Sequence, residues 1–282
     1  MAFKIPVEDR VSTYPGRVIL KPVSGAENTF DMQRADLPLS EGTPINKRLF
    51  DSKSDCLTED VTVYVSSTGD DVNGTGYVDS PFATIQKAIN ALPKNLNGHI
   101  AVIDISGGTY EETISCKGFN GGTLVVGIVG RGVEVRAVEV DACSFVEINV
   151  HKITYANGFP TVLYKVTNGS NVHVGQSVTM DGKSTAAAGM SAVYNSTISA
   201  INGVTVTLNN FGGSALMSTN GSIIALYNVA GSNSLFGLNA SVGGLVAYEK
   251  STLTSGLGDD AWGGGRIQTG GGVSALSNAT VE

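Results

Sequence analysis

Four serines in the second half of the chain, each opening a short apolar run, are spaced at a constant 26 residues. They are Ser144, Ser170, Ser196 and Ser222, and their runs are SFVEINV, SNVHVGQ, STISAIN and SIIALYN. A fixed period between about 20 and 50 residues indicates a solenoid, whose coils bury their inner faces only by stacking on one another. The spacing therefore predicts stacked coils that each contain a short strand. Ser241, in SVGGLVAYE, follows 19 residues after Ser222.

The composition of the chain agrees with a β structure that has a substantial core. Of its 282 residues, 41% are hydrophobic and 36 are Gly, but only 15% are charged. This is too glycine-rich for an ordinary helical protein, and no collagen period is present. Short apolar runs such as IAVIDI (100–105) and LVVGIV (124–129) are separated by Gly or Asn, as in the rungs of a solenoid. We therefore expect a mainly β fold.

Residues 61–92 have the pattern of a strand, a turn-rich loop and one amphipathic helix. VTVYV (61–65) alternates with the period of a β-strand, and a loop rich in Gly, Asp and Asn follows it. Ser80 is a suitable N-cap, and Pro81 suits the first helical position. The pattern predicts a helix over residues 80–92, ended by Pro93. One face of this helix is apolar: Phe82, Ile85, Ile89 and Leu92.

The first 57 residues differ in composition from the rest of the chain. They hold five of the eight prolines, and their eight basic and eight acidic residues cancel, so the net charge of −7 lies beyond them. A short strand is predicted at Arg17–Lys21 and a short helix at Pro44–Asp51. Such a segment is too small to bury a core of its own. A flexible leader is one interpretation, but its many apolar residues favour an arm that becomes ordered on a partner.

Within this arm, residues 13–51 resemble the N-terminal segment of tail and fibre proteins of phages and prophages, mainly of Gram-positive hosts. The resemblance lies in PGRV (15–18), PVSG (22–25), FDMxRAD (30–36) and EGTPxNK (41–47). It implies that residues 1–57 attach the chain to other virion proteins. It also implies a location in the virion, on the tail or another surface appendage, after assembly in the host cytoplasm.

A second resemblance concerns the fold. YVSSTGDD (64–71) and SPFATIQKAINAL (80–92) resemble the N-terminal cap of right-handed β-helices in the pectin-lyase-like superfamily. Lyases, hydrolases, tailspikes and adhesins share this cap, so it implies a fold and no particular activity. The expected architecture is a right-handed parallel β-helix with one capping helix at 80–92, preceded by an irregular N-terminal arm. The expected divisions are the arm (1–57), the β-helix (58–255) and a glycine-rich C-terminal cap or tip (256–282).

Charge is nearly absent from residues 182–248, where Lys183 is the only charged side chain. A solvated surface usually carries many charges. Either neighbouring chains cover this surface, as in a trimeric fibre, or it is an exposed surface of Ser, Thr, Asn and Gly. Together with the phage resemblance, the first interpretation predicts a homotrimer.

The acidic balance and the lack of basic clusters argue against a nucleic-acid partner. No stretch is long enough to insert in a membrane, and MAFKIPVEDR lacks the apolar core of a signal peptide.

Two groups of residues are candidates for a site. Glu139 and Asp141 would point the same way on one strand, with Glu147 one rung further on, and could form the carboxylate pair of a glycosidase. Carboxylates on the outer side of strands are, however, common without any catalytic role. The glycine-rich end contains the second group, which could contact a glycan or simply cover the last coil: Trp262, Arg266, Asp259 and Asp260.

No cofactor or metal site is expected. The three histidines and three cysteines lack ligand spacing, and the cysteines are predicted to stay reduced.

From the two resemblances and the charge-poor region, we expect a tail fibre or receptor-binding protein that adheres to host cell-surface polysaccharide. The alternatives are a polysaccharide-depolymerising tailspike, either a glycosidase or a lyase, and a collar or head decoration fibre that binds no receptor. A bacterial surface adhesin is a further alternative.

Overall fold

A computed structural model describes residues 56–200 and 202–269 together with five short strands outside these ranges. Contacts between residues divide the chain into two units, Phe3–Ser54 and Asp55–Glu282. The change between units therefore falls close to the boundary expected after residue 57.

Four short strands are described in the first unit, and they form two antiparallel pairs. Strand β1 (Val11–Ser12) pairs with β4 (Pro38–Ser40), and β2 (Val18–Pro22) pairs with β3 (Phe30–Arg34). Strand β2 confirms the strand predicted at 17–21. The helix predicted at 44–51 lies outside the described residues.

The second unit is a right-handed parallel β-helix, as predicted, with three faces. Face 1 contains β5 (Val61–Val65), β6 (Ile100–Ile105), β9 (Thr123–Val126), β12 (Val146–Ile148), β15 (Asn171–Val174), β18 (Thr197–Ala200) and β25 (Arg266–Thr269). Face 2 contains β7 (Gly108–Thr109), β10 (Val133–Val135), β13 (Lys152–Thr154), β16 (Val178–Asp181) and β19 (Thr205–Asn209). Face 3 contains β8 (Thr113–Lys117), β11 (Ala137–Asp141), β14 (Val162–Thr167), β17 (Ala188–Ala192), β20 (Ser214–Thr219), β22 (Phe236–Ser241) and β24 (Asp260–Trp262).

Two long strands pass through faces 1 and 2 without a break and join them into one sheet. They are β21 (Ile223–Ser234) and β23 (Leu245–Ser255), and β21 pairs first with β18 and then with β19. The strands from β6 to β24 form seven coils, numbered here from the N-terminal end. Strands β24 and β25 pair in parallel with the preceding coil, so the β-helix continues past residue 255. Beyond β25, β26 (Gly272–Ser274) turns back antiparallel.

The core lies inside the coils because inward and outward residues alternate along each strand. In β6, Ala101, Ile103 and Ile105 are fully buried, while the residues between them are partly exposed. Parallel register stacks such residues directly, as when Ala101 lies between Val61 and Leu124 of the adjacent strands. Each coil thus covers the apolar interior of the next.

One helix, α1 (Ile85–Ala91), is present in the described residues and packs against β5, β6 and β8. The four apolar residues assigned to one face are all buried, with at most 4% exposed. The helix is shorter than the predicted 80–92 and begins at a different cap. Thr84 is the N-cap and accepts a hydrogen bond from the N–H of Lys87, whereas Phe82 is still extended and bridges Val65 of β5. Pairing with β5 therefore prevails over the cap signal of Ser80.

The loop before α1 is built on the two aspartates of the STGDD run. Asp70 accepts hydrogen bonds from the N–H groups of Val72 and Asn73 and closes a turn. Asp71 accepts from the N–H groups of Ala83 and Thr84 and from the Thr84 hydroxyl at 2.6 Å. Both carboxylates in this motif therefore fix the capping segment, which accounts for the motif in structural terms.

The 26-residue period is confirmed in coils 3 to 6. Val146 pairs with Val172, and Asn171, Thr197 and Ile223 follow in register. Ser170, Ser196 and Ser222 are buried at the corner between faces 3 and 1. At the next coil the period shortens to 22, because Ile223 pairs with Leu245. Ser241 is therefore out of step and lies beside Thr219 instead.

Ser144 shares the spacing of these serines but not their environment. It is exposed, and its neighbour Cys143 occupies the buried position, where the Cys143 N–H donates to Oγ of Ser170 at 3.1 Å. In the same way, the Ser196 N–H donates to Oγ of Ser222. The buried column is therefore Cys143, Ser170, Ser196 and Ser222.

In the part of the chain that the structure describes, no helix has the length and apolar character needed to cross a bilayer.

Candidate functional site

The predicted carboxylate pair lies on the outer side of face 3. Glu139 and Asp141 are alternate residues of β11, so both point outward, as expected, beside a shallow recess of about 100 Å³. The recess is also lined by Lys117 of β8 and by Lys165 and Thr167 of β14. The sequence interpretation is thus right about the common orientation of the pair.

Asp141 is held in place, whereas Glu139 has no hydrogen bond or ion pair with any other described residue. Oδ1 of Asp141 accepts hydrogen bonds from the hydroxyl of Thr167 at 2.9 Å and from the amide of Asn168 at 2.6 Å. Alternate residues of a strand are roughly 6.6 Å apart along the chain. Inverting glycosidases place their two carboxyl groups about 6.5–9.5 Å apart. The backbone spacing of the pair is thus near the lower end of this range, but the recess is much smaller than an ordinary ligand pocket of about 300–1,000 Å³.

Glu147 does not join this pair. It lies on β12 in face 1, where it accepts a hydrogen bond from Nδ2 of Asn149 at 2.8 Å. Glu139 lies on β11 in face 3, so different sheets carry the two carboxylates. The expectation that Glu147 follows one rung along is therefore wrong, because the chain turns the corner between faces 3 and 1 before reaching it.

A charged cluster on the outer side of face 2 is another group of carboxylates and cations. Glu134 pairs with Arg136 at 3.1 Å and with Lys152 at 3.3 Å, and it accepts from the Thr154 hydroxyl at 3.0 Å. Arg136 also pairs with Glu111. Hydrogen bonding to Glu111, more than to Glu134, raises the pKa of Arg136. All these charges are paired with one another, so the cluster ties adjacent coils together and leaves no free acid or base.

The four residues of the predicted glycan-contact group are spread over the last coil and the start of the strand that follows it, β25. Trp262 ends β24 on face 3 and is 54% exposed, and Asp260 begins that strand. Arg266 lies across the following turn, at the start of β25 on face 1. Among the described residues, no hydrogen bond or ion pair joins Arg266 to Asp259 or Asp260. Asp259 instead accepts from the N–H of Leu238 at 2.9 Å. A role for these residues in binding glycan stays a prediction.

Sequence reasoning missed a groove at the corner between faces 2 and 3 in coils 5 to 7. Its volume is about 540 Å³, which is within the usual range of small-ligand pockets. Among the described residues, no charged side chain lines this groove. Its lining is contributed by three successive coils: Phe211, Gly212, Asn233, Ser234, Leu235, Thr254, Ser255 and Gly256. We call it the corner groove.

The corner groove contains one polar group without a partner. Ser234 is 3% exposed, and its hydroxyl makes no hydrogen bond within the described structure. A buried hydroxyl that is left unpaired costs about 1–3 kcal/mol. Phe211 beside it is buried, and Leu235 is 43% exposed. The groove thus combines apolar surface with an unsatisfied hydroxyl.

A ladder of side-chain amides leads to the same corner groove. Nδ2 of Asn210 donates to Oδ1 of Asp181 at 3.1 Å, and Nδ2 of Asn233 donates to Oδ1 of Asn210 at 3.2 Å. Both asparagines have a φ of +61°, a region in which Asn is more common than most residues. Since Asn233 is the last rung, its Oδ1 receives no hydrogen bond from any described residue.

The described residues contain no group of three or more His, Cys, Asp or Glu side chains placed to bind a metal ion. Two of the three cysteines, Cys116 and Cys143, are buried in the β-helix. Burial raises the pKa of Cys116 far above its ordinary value and also raises that of Cys143. These two thiols are therefore unsuited to nucleophilic chemistry.

Comparisons with protein-family models, with curated proteins and with solved structures find no match for this chain.

Proposed function

We propose that this chain is a structural protein of a phage or prophage virion, a tail fibre or receptor-binding protein. The observation that carries the proposal is the division of the chain into an N-terminal unit, Phe3–Ser54, and a seven-coil β-helix with a helix over its first coil. The first unit coincides with the segment that resembles virion attachment arms. In this proposal it docks to the particle, and the β-helix presents its surface to host polysaccharide.

Residues 182–248, from the last strand of coil 4 to the start of coil 7, form the charge-poor region that supports self-association. Exposed apolar side chains occur here, among them Tyr194 (57%) and Val242 (47%). A homotrimer would bury such groups and would also add avidity for a repetitive glycan. The molar mass of the native full-length chain in solution tests this part. Three chain masses are expected, and a single chain mass contradicts the trimer.

Electron microscopy of intact particles with a gold-labelled antibody against the β-helix tests the virion role. Label on the tail or another appendage is expected, and particles purified free of the chain would overturn the proposal. Sedimentation of the labelled protein with susceptible host cells then tests adhesion. If the protein is present on particles but binds no susceptible strain, the chain is a collar or head decoration fibre.

A polysaccharide-depolymerising activity is the second candidate, and the recess around Glu139 and Asp141 favours it. Host wall or capsule polysaccharide should then gain reducing ends or unsaturated sugars on incubation with the protein. Glu139→Gln and Asp141→Asn should each abolish this release. Ser115→Ala, at a position that pairs with Glu139 on the neighbouring strand, serves as a control. Activity that survives both carboxylate changes excludes this pair.

A further inference from the structure

We propose that the corner groove is a binding site for a neutral oligosaccharide. The inference rests on the proposed function, because host-surface polysaccharide supplies the ligand, and it deepens that function by giving the site and the chemical class of the sugar. The groove lies on the edge between faces 2 and 3 and contains none of the carboxylates or aromatic residues predicted from the sequence.

The amide ladder fixes which polar group the groove presents. Asp181 is the end of the ladder, and although burial raises its pKa, hydrogen bonds from Lys183 and Asn210 hold that pKa below its ordinary value. An ionised carboxylate only accepts hydrogen bonds, so it orients the Nδ2 of Asn210 toward itself and the Oδ1 toward Asn233. Asn233 must then use its Nδ2 on Asn210, which leaves its Oδ1 as an open acceptor.

Ser234 supplies the complementary group. Its buried hydroxyl can both donate and accept, and no described residue occupies it. The Ser234 hydroxyl is covered in the free protein, so in this proposal the groove lining shifts as a sugar binds. Because a sugar hydroxyl also donates and accepts, adjacent hydroxyls of one ring then pair with Ser234 and Asn233. Binding would then remove an unsatisfied buried polar group, which makes the interaction selective for a ligand rich in hydroxyls.

The remaining lining selects for uncharged sugars. Leu235 offers apolar surface for the C–H groups of a ring, and Thr254 and Ser255 provide hydroxyls from the next coil. No cation in the lining could pair with a uronate or a sulfate. An acidic oligosaccharide would lose the solvation of its charge without compensation, so the neutral class is favoured.

The test uses the full-length protein and saturation-transfer NMR with two panels of two- to four-unit oligosaccharides. One panel is neutral, built from hexoses and N-acetylhexosamines, and the other is built from uronic acids. At least one neutral oligosaccharide should bind. Ser234→Ala should weaken it at least tenfold, and Thr254→Trp, which fills the groove from an exposed position, should abolish binding. Thr161→Trp is the matched control, because Thr161 is exposed near the same edge in coil 3.

Three results would overturn the inference: no binding in the neutral panel, preferential binding of uronic acids, or unchanged binding by Thr254→Trp. If Ser234→Ala proves unstable, the Thr254→Trp result decides. Cell adsorption separates the two proposals. If Thr254→Trp still adsorbs to host cells, the groove is not the adhesion site, but the proposed adhesion role stands. If neutral sugars bind in the groove but the protein neither adsorbs to cells nor labels virions, the binding site is supported and the proposed function is contradicted.

Discussion

Glu112, at the end of the turn before β8, holds the first turn of helix α1 with its side chain. Its two carboxylate oxygens accept hydrogen bonds from the N–H groups of Ile85 and Gln86, both at 2.8 Å. These N–H groups lie at the positive end of the helix and have no partner within it. A residue 27 positions away thus completes the cap that Thr84 begins.

Replacing Glu112 with Ala should therefore destabilise the β-helix. Two partly buried N–H groups lose their acceptor, and we expect the free energy of unfolding to fall by about 2 kcal/mol. Chemical denaturation followed by circular dichroism measures it. Asp79→Ala, an exposed acidic residue of the preceding loop, should change stability by less than about 0.5 kcal/mol. Equal effects of the two changes would show that Glu112 has no capping role.

The buried serine column gives a second prediction. Oγ of Ser170 accepts from the N–H of Cys143 and donates to the carbonyl of Thr167 at 2.6 Å. Ser170→Ala leaves the buried N–H of Cys143 without that acceptor, so stability should fall by about 2 kcal/mol. Ser144→Ala has the same spacing in the sequence, but its side chain is exposed, so little change is expected. Thermal unfolding of both variants compares them directly.

The charged cluster of face 2 predicts how stability depends on pH. Burial alone raises the pKa of Glu134, but hydrogen bonds from Thr154, Lys152 and Arg136 outweigh it and lower the pKa below its ordinary value of 4.5. A folded-state pKa that is lower than the unfolded one adds stability above the unfolded pKa. This contribution is lost as the pH falls from about 4.5 through the folded pKa.

Glu134→Gln should remove that contribution. Its free energy of unfolding should lie below wild type at pH 6 and 7, and the two values should converge as the pH falls below 4.5. Denaturation at a series of pH values between 3 and 7 measures the difference. Glu249→Gln, an exposed residue near the C-terminal end, controls for a general effect of removing one acidic group. A constant difference over the whole range would contradict the assigned role of Glu134.

The fold could be predicted from the sequence because the β-helix is periodic. The 26-residue spacing and the buried face of Phe82, Ile85 and Ile89 both reflect contacts that recur at fixed positions. The first residue of α1 could not be predicted, because Phe82 pairs with β5 and only the tertiary structure shows that pairing. Cys143 occupies the serine position of the buried column, and the exposed Ser144 beside it has the serine spacing, so the sequence pattern points to Ser144 instead.

The corner groove could not be predicted for a related reason. Its lining comes from coils of different length, so Phe211, Asn233 and Thr254 share no period that a sequence pattern would reveal. The unpaired state of the Ser234 hydroxyl depends on the positions of all its neighbours. The pair Glu139 and Asp141 was accessible because it needs only the alternation of one strand.

The last prediction concerns backbone strain at the corner between faces 3 and 1. Val242 has a φ of +49°, and the equivalent residue of the preceding coil is Asn220, with a φ of +53°. Left-handed backbone is unfavourable for a β-branched residue but tolerated by asparagine. Val242→Asn should therefore raise the free energy of unfolding by about 1 kcal/mol, and the reciprocal Asn220→Val should lower it by a similar amount.

Stability and self-association should respond in opposite directions to Val242→Asn. Val242 is 47% exposed, and in the trimer proposal it is one of the apolar groups that other copies cover. An unfavourable φ at the exposed Val242 is expected if this side chain is retained for contact with another copy of the chain. Sedimentation velocity at equal concentrations should then show weaker association for Val242→Asn, and denaturation at low concentration should show the more stable monomer. A variant that is more stable and associates as strongly as wild type would exclude Val242 from the interface.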